Sequence, residues 1–307
     1  MESFSFHVKS EILDEINSRP KADACLLGML YTCKEISPEG VLFVTENEKT
    51  MQFFVRSINK ICEDEKAVSV LENKKTKSTV FTAEVNETNA KKLFSYYKLP
   101  YDYAENNFEK AVLPKKKLLP QLFGGAFISC GSISDPNKDY HFELVFQNIA
   151  LCNFFGLLII ENYGIIPKQT ERKNSQVVYI KESENIEDML TLMGAVNSSL
   201  EIMNIKILKD IRNKINRAVN CDNANIEKTL RASEKQIEDI ELIESTIGFG
   251  ELSEDLREIA ELRLENPDYN LKELGQALSK PISRSGANHR LARISKIAED
   301  IRKKQGN

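Results

Sequence analysis

One pattern occurs twice in the first 200 residues, and such a duplication confines the chain to folds in which two like halves pack together. Gly28 sits in ACLLGMLYTCK and Gly125 in LFGGAFISCGS, 97 residues later. After each comes a strand-like alternation, GVLFVTEN (40–47) and HFELVFQN (141–148). Each strand leads into an amphipathic helix with a paired-Phe core, KTMQFFVRSINKIC (49–62) and ALCNFFGLLIIENYG (150–164). A hairpin follows in both copies, over 68–85 with turn residues Asn73 to Lys77, and over 166–182 with its turn at Lys173, Asn174 and Ser175. A helix closes each copy, at 86–98 and 185–194. The order helix, strand, helix, strand, strand, helix predicts an α/β unit with antiparallel hairpins, made twice and packed as a pseudo-dimer.

PKKK (114–117) marks the join between the copies. Beyond the second copy, 204–244 reads as a long helical linker with breaks around Asn220 to Asn225. Its first part carries Lys206, Lys209, Arg212, Lys214 and Arg217 against Asp210, a basic face that either faces water or touches DNA.

STIGFGELS (245–253) has linker composition, and Ser253 suits the N-cap of a helix that Pro267 stops. A short helix over 270–280 follows, with Leu271, Leu274 and Leu278 on one face. After Pro281 a final helix begins at Ser283 or Ser285, with Ala287, Leu291, Ile294, Ile297 and Ile301 as its apolar stripe. Helix, turn, helix at this length predicts a helix-turn-helix, whose second helix enters the major groove.

The formal net charge of −4 hides a polarity that supports this reading. From Lys280 to Lys304 eight basic residues face two acids, whereas 253–279 holds three basic and seven acidic residues. Such a switch turns the basic end toward phosphate. Off the stripe lie Arg284, Ser285, Asn288, His289 and Arg293, and Arg and Asn suit bidentate contact with guanine and adenine. Lys280, Ser283 and Lys296 complete the candidate DNA-binding set, with Arg290 between the faces and in reach of a phosphate.

Membrane and secretion classes find no support: LCNFFGLLII (151–160) is too short for a span, and the charged N-terminus lacks a signal peptide's apolar segment. A cytoplasmic protein is expected. The six cysteines (25, 33, 62, 130, 152, 221) form no CxxC pair and have three histidines beside them, so neither a zinc site nor a cofactor is expected.

These residues together resemble the WhiA family, bacterial proteins similar to LAGLIDADG homing endonucleases in front and to region 4 of sigma factors at the back. The most specific pieces are GGAFISCGSISDPNKDYHFEL (124–144), KDIRNKINRAVNCDNANIEKT (209–229) and KPISRSGANHRLARI (280–294). The resemblance implies an α+β fold, with a degenerate endonuclease-like pseudo-dimer over 1–203 (repeats about 20–100 and 118–200), a basic helical linker over 204–244 and an all-α helix-turn-helix domain over 245–307. In the endonucleases two motif helices pack along a pseudo-dyad, and each ends in an acid that holds divalent metal at the scissile phosphates. Laid on that pattern, both acid positions are cysteines, Cys33 and Cys130. A protonated thiol is a poor Mg²⁺ ligand, so the expectation is a tight helix interface rather than an enzyme. A redox role for two facing thiols stays open, as does a rearranged metal site at Glu35 and Asp135. The family further implies a sequence-specific, nucleoid-associated regulator of sporulation, cell division or chromosome segregation. Double-stranded DNA is its expected partner, with RNA polymerase or a division factor as further candidates.

Overall fold

The computed structural model describes residues 3–74, 79–99 and 113–305. Contacts group them into two compact units, Met1–Lys209 and Asp210–Asn307.

In the first unit, α1 (Phe4–Asp14) precedes the first repeat. That repeat runs α2 (Arg19–Tyr31), β1 (Glu35–Ser37), β2 (Gly40–Thr45), α3 (Glu48–Cys62), β3 (Val68–Lys74), β4 (Thr79–Val85) and α4 (Glu87–Tyr97). The second runs α5 (Leu119–Cys130), β5 (Gly131–Ile133), β6 (Phe142–Phe146), α6 (Ile149–Tyr163), β7 (Lys168–Arg172), β8 (Ser175–Ile180) and α7 (Ser183–Met193). The two antiparallel sheets have matching orders, β1-β2-β4-β3 and β5-β6-β8-β7. Each copy thus has one more short strand, β1 or β5, than the expected order, because a three-residue strand gives no readable alternation. Lys173 takes a left-handed conformation in the two-residue turn of the second hairpin, where the sequence places it. The first hairpin's turn falls partly on 75–78, outside the described residues.

Matched sequence positions do matched work. Asn47 and Asn148 cap α3 and α6, accepting from the backbone N–H of Thr50 (3.0 Å) and Ala150 (2.7 Å). Phe54 and Phe155 are equivalent buried rings, one stacked on Phe43 at 4.4 Å and the other packed at 5.2 Å on Phe146, which stands two residues further along the equivalent strand. Each such buried ring contributes about 1.5–3 kcal/mol of transfer free energy.

The copies join through α2 and α5. A Cβ on Gly28 would collide with the Leu122 carbonyl, and one on Gly125 with the Cys25 carbonyl. Ser129 Oγ donates to the Thr32 carbonyl at 3.1 Å. The pairs 25/122, 28/125 and 32/129 are each 97 apart, so the contacts obey a pseudo-two-fold axis, and glycine is what lets the backbones touch.

One continuous helix, α8 (Val196–Thr246), replaces the broken linker expected over 204–244. The stretch from Asn220 to Asn225 contains no Gly or Pro. Asn and Asp each cost a helix only about 0.6 kcal/mol relative to Ala, too little to break one that good formers flank. At its start, Glu11 of α1 accepts from the backbone N–H of Asn197 (2.6 Å) and Ser198 (3.0 Å), placing a carboxylate at the helix's positive end.

In the second unit, Ile240 and Ile243 of α8 pack with α9 (Glu254–Glu265), α10 (Leu271–Gln276) and α11 (Arg284–Gln305). The expected boundaries at 203/204 and 244/245 both fall within α8. No described helix is long and apolar enough to cross a membrane.

Candidate nucleic-acid interface

The sequence around α10 fixes the angle at which α11 is presented. Asn270 and Glu273 form a reciprocal capping box at the start of α10. Arg263, 2% exposed, donates through Nη1 to the carbonyls of Tyr269 (2.7 Å) and Asn266 (3.3 Å), holding the turn after α9. A Cβ on Gly275 would stand 2.7 Å from the Ile282 carbonyl, while Ile282 N–H donates to Gly275 O at 2.9 Å, so only glycine allows so tight a turn. Leu274, Leu278, Ala287, Leu291, Ile294 and Ala298 fill the seam behind. Leu278 is buried although α10 stops at Gln276, two residues before it.

With that seam buried, α11 exposes Arg284, Ser285, Asn288, His289, Arg293 and Lys296, and Lys280 is exposed just before it. Arg284 and Asn288 line a polar cleft of about 670 Å³ that Lys228 and Lys272 also border. Two members of the expected set have structural work. Ser283 caps the helix, its Oγ accepting from Gly286 N–H at 3.2 Å. Arg290 is folded onto α9, with Nη1 3.3 Å from the Asp255 carbonyl and Nη2 3.5 Å from its carboxylate. That corrects the expectation that Arg290 is free for a phosphate.

In the first unit, the ends of α2 and α5 meet at a cavity of about 330 Å³ between the two sheets, lined by Thr32, Cys33, Ser129 and Cys130. Burial drives both thiols toward the protonated form, Cys130 up to about 12 and Cys33 further. Cys130 also accepts from the Val145 N–H, and nearby Lys9 is itself lowered by burial. The two acids closest in sequence lie elsewhere. Glu35 is exposed on β1, and Asp135 is bound into a local turn, accepting from the Asn137 backbone N–H (2.9 Å) and side-chain amide (3.0 Å), which lowers its pKa. Neither lines the cavity.

Two family models match this chain: the WhiA LAGLIDADG-like domain over 119–212 and the WhiA C-terminal HTH domain over 215–298. Over 98% of its length the chain is 38% identical to the probable cell division protein WhiA of Clostridium acetobutylicum, 99% of which is covered. The Clostridium tetani protein of that name is 37% identical, with 99% of each chain covered. The chain belongs to the WhiA family. The crystal structure of full-length DUF199/WhiA from Thermatoga maritima superposes with a TM-score of 0.59 at 26% identity, covering 97% of this chain and 99% of that one. The architecture is therefore that of WhiA, a LAGLIDADG-like domain followed by a helical HTH domain.

Within that WhiA frame the sequence found the exposed front of α11 and the paired cysteines, and missed the groups that hold them. Arg263 reads as a surface charge. So does Arg302, whose Nη1 lies 2.7 Å from the fully buried Asp239 of α8, an ionic approach with no donor aligned on the carboxylate. Arg302 and Asp239 lie far apart in sequence, and a lone chain carries no signal that joins them.

Proposed function

We propose that this protein is a DNA-binding regulator that reads specific sites through α11 and acts in transcription and cell division. The observation that carries the reading is the exposed set Arg284, Ser285, Asn288, His289 and Arg293 at the front of a helix whose other face is locked into a helix-turn-helix core. Lys280 and Lys296 supply phosphate attraction, and Ser283 sets the start of the helix. The name of the clostridial relatives supports a role in division, and we place that work at the nucleoid in the cytoplasm. RNA polymerase or a division factor is the protein partner to seek. The duplicated domain over 1–203 serves as a non-catalytic scaffold, 204–244 as the helical connection and 245–307 as the reading head.

Crosslinking and recovery of bound genomic fragments supplies the site for the test, which is titration at several salt concentrations. Asn288→Ala or Arg284→Ala removes a base contact of about 1–3 kcal/mol and relaxes preference at one base pair. Lys296→Ala weakens specific and random DNA alike. Wild-type selectivity in both front-helix variants would falsify the assignment of α11. For the scaffold, plasmid DNA stays intact with Mg²⁺ or Mn²⁺. Cleavage that co-purifies with the protein and disappears in a Glu35→Gln/Asp135→Asn variant overturns the non-catalytic reading.

A further inference from the structure

The polar cleft that Arg284 and Asn288 border has another wall on α8. Asn225, Lys228, Thr229, Ala232, Ser233 and Gln236 line it at spacings of three, one, three, one and three, so they form one face of the helix over about three turns. That face is free of acid in an acid-rich stretch. Glu227 and Glu234 fall on the other side of α8. Asp222 stands one turn before Asn225, and Asp239, one turn after Gln236, is buried against Arg302.

The rest of the lining has the same character. Lys228, Lys272 and Arg284 are exposed around the cleft, and none has an acidic partner among the described residues. Buried Arg263 lines it too, and its Nε has no hydrogen-bond partner. Only Ala232 and Leu271 of the lining residues are apolar. Four positive charges around one space, with no acid in its walls, repel one another, and an anion relieves that repulsion where a neutral or apolar ligand does not.

The place of the cleft in the fold names the anion. In a helix-turn-helix the second helix lies in the major groove and the first crosses the backbone. Lys272 stands in the first turn of α10, the first helix, and Arg284 and Asn288 front α11, the second. A phosphodiester strand that borders the groove therefore runs past the cleft. We propose, resting on the reading of α11 as the helix that contacts bases, that this cleft receives the phosphates of that strand, held by Lys228 of α8 together with Lys272 of α10. The long helix is then part of the DNA-binding surface as well as the connection between the two units.

Titration of the full chain at several salt concentrations, on the recovered genomic site and on random DNA, tests it. Lys228→Gln weakens binding to both alike and flattens the salt dependence by about one unit, as does Lys272→Gln, and the double variant flattens it by about two. Base preference stays that of the wild type. Arg231→Gln removes the same charge from the other side of α8 and leaves the slope unchanged. Circular dichroism confirms that every variant keeps its helix content. Wild-type slope and affinity in Lys228→Gln, while Asn288→Ala still relaxes base preference, overturn the inference and leave the reading of α11 standing. Wild-type selectivity in Arg284→Ala and Asn288→Ala sinks that reading instead. Equal flattening by Arg231→Gln overturns the inference, because charge anywhere on α8 then suffices. Calorimetric titration with tripolyphosphate is the other arm. One tripolyphosphate bound per chain, lost in a Lys228→Gln variant that binds DNA like the wild type, gives the cleft to a small phosphate compound and overturns the backbone assignment.

Discussion

Arg263 is the largest fully buried side chain among the described residues, and the sequence shows it as one more charge in an acidic stretch. Burial lowers its pKa, and the carbonyls around it take the place of water. Arg263→Ala therefore strands the Tyr269 and Asn266 carbonyls and opens a cavity, and is expected to destabilise the second unit by about 3–5 kcal/mol, read from urea unfolding. The thiols make a second test at this scale. Iodoacetamide attacks thiolate, and burial keeps Cys25, Cys33 and Cys130 protonated far above pH 8. Exposed Cys221 is thus expected to label first in the native protein across pH 7–9, with those three following only on unfolding. Prompt native labelling of Cys130 shows instead an open, reactive cavity. What was legible here came from position on a helix face: Asn288 and Arg284 lie off a stripe that any wheel reveals. Ser283 stands where the sequence starts the helix, whereas the contacts of Arg290 and Arg302 depend on neighbours that periodicity does not identify.

Most elements announced themselves through period and caps. Alternation gave β2 and β6, and the Asn residues at 47, 86 and 148 precede the helices they cap. The strands β1 and β5 escaped notice because three residues show no period, and they exist as continuations of the motif helices into each sheet. In α8 the error ran the other way, since a cluster of Asn and Asp looks like a break and is only a weak stretch. That weakness is measurable. Replacing Asn220, Asn223 and Asn225 with Ala is expected to stabilise the helix by about 1.8 kcal/mol, from differences of about 0.6 kcal/mol at each site. Hydrogen exchange over 215–230 slows accordingly, while Asn223→Pro, at about 3 kcal/mol, speeds it. Unchanged exchange in both variants means that contacts with a partner, and not propensity, hold this part of α8.

At the scale of the molecule there are two separate cores, one built on the duplicated sheets and one on the helix-turn-helix. Calorimetry is accordingly expected to resolve two transitions. Gly125→Val, which drives a side chain into the Cys25 carbonyl, lowers one of them by about 3 kcal/mol, and Leu291→Ala lowers only the other by about 2–5 kcal/mol. A single transition shifted by both variants contradicts independent cores. The glycine contact also has a consequence in time. From Ala24 to Tyr31 every residue of α2 is buried, much of it against α5, which is complete only at residue 130. A ribosome adding about 5–20 residues per second takes roughly 5–20 seconds to cover that distance. For that interval the α5-facing side of α2 has nothing to cover it, and a nascent chain stalled between the two copies presents that side to whatever chaperone is nearest.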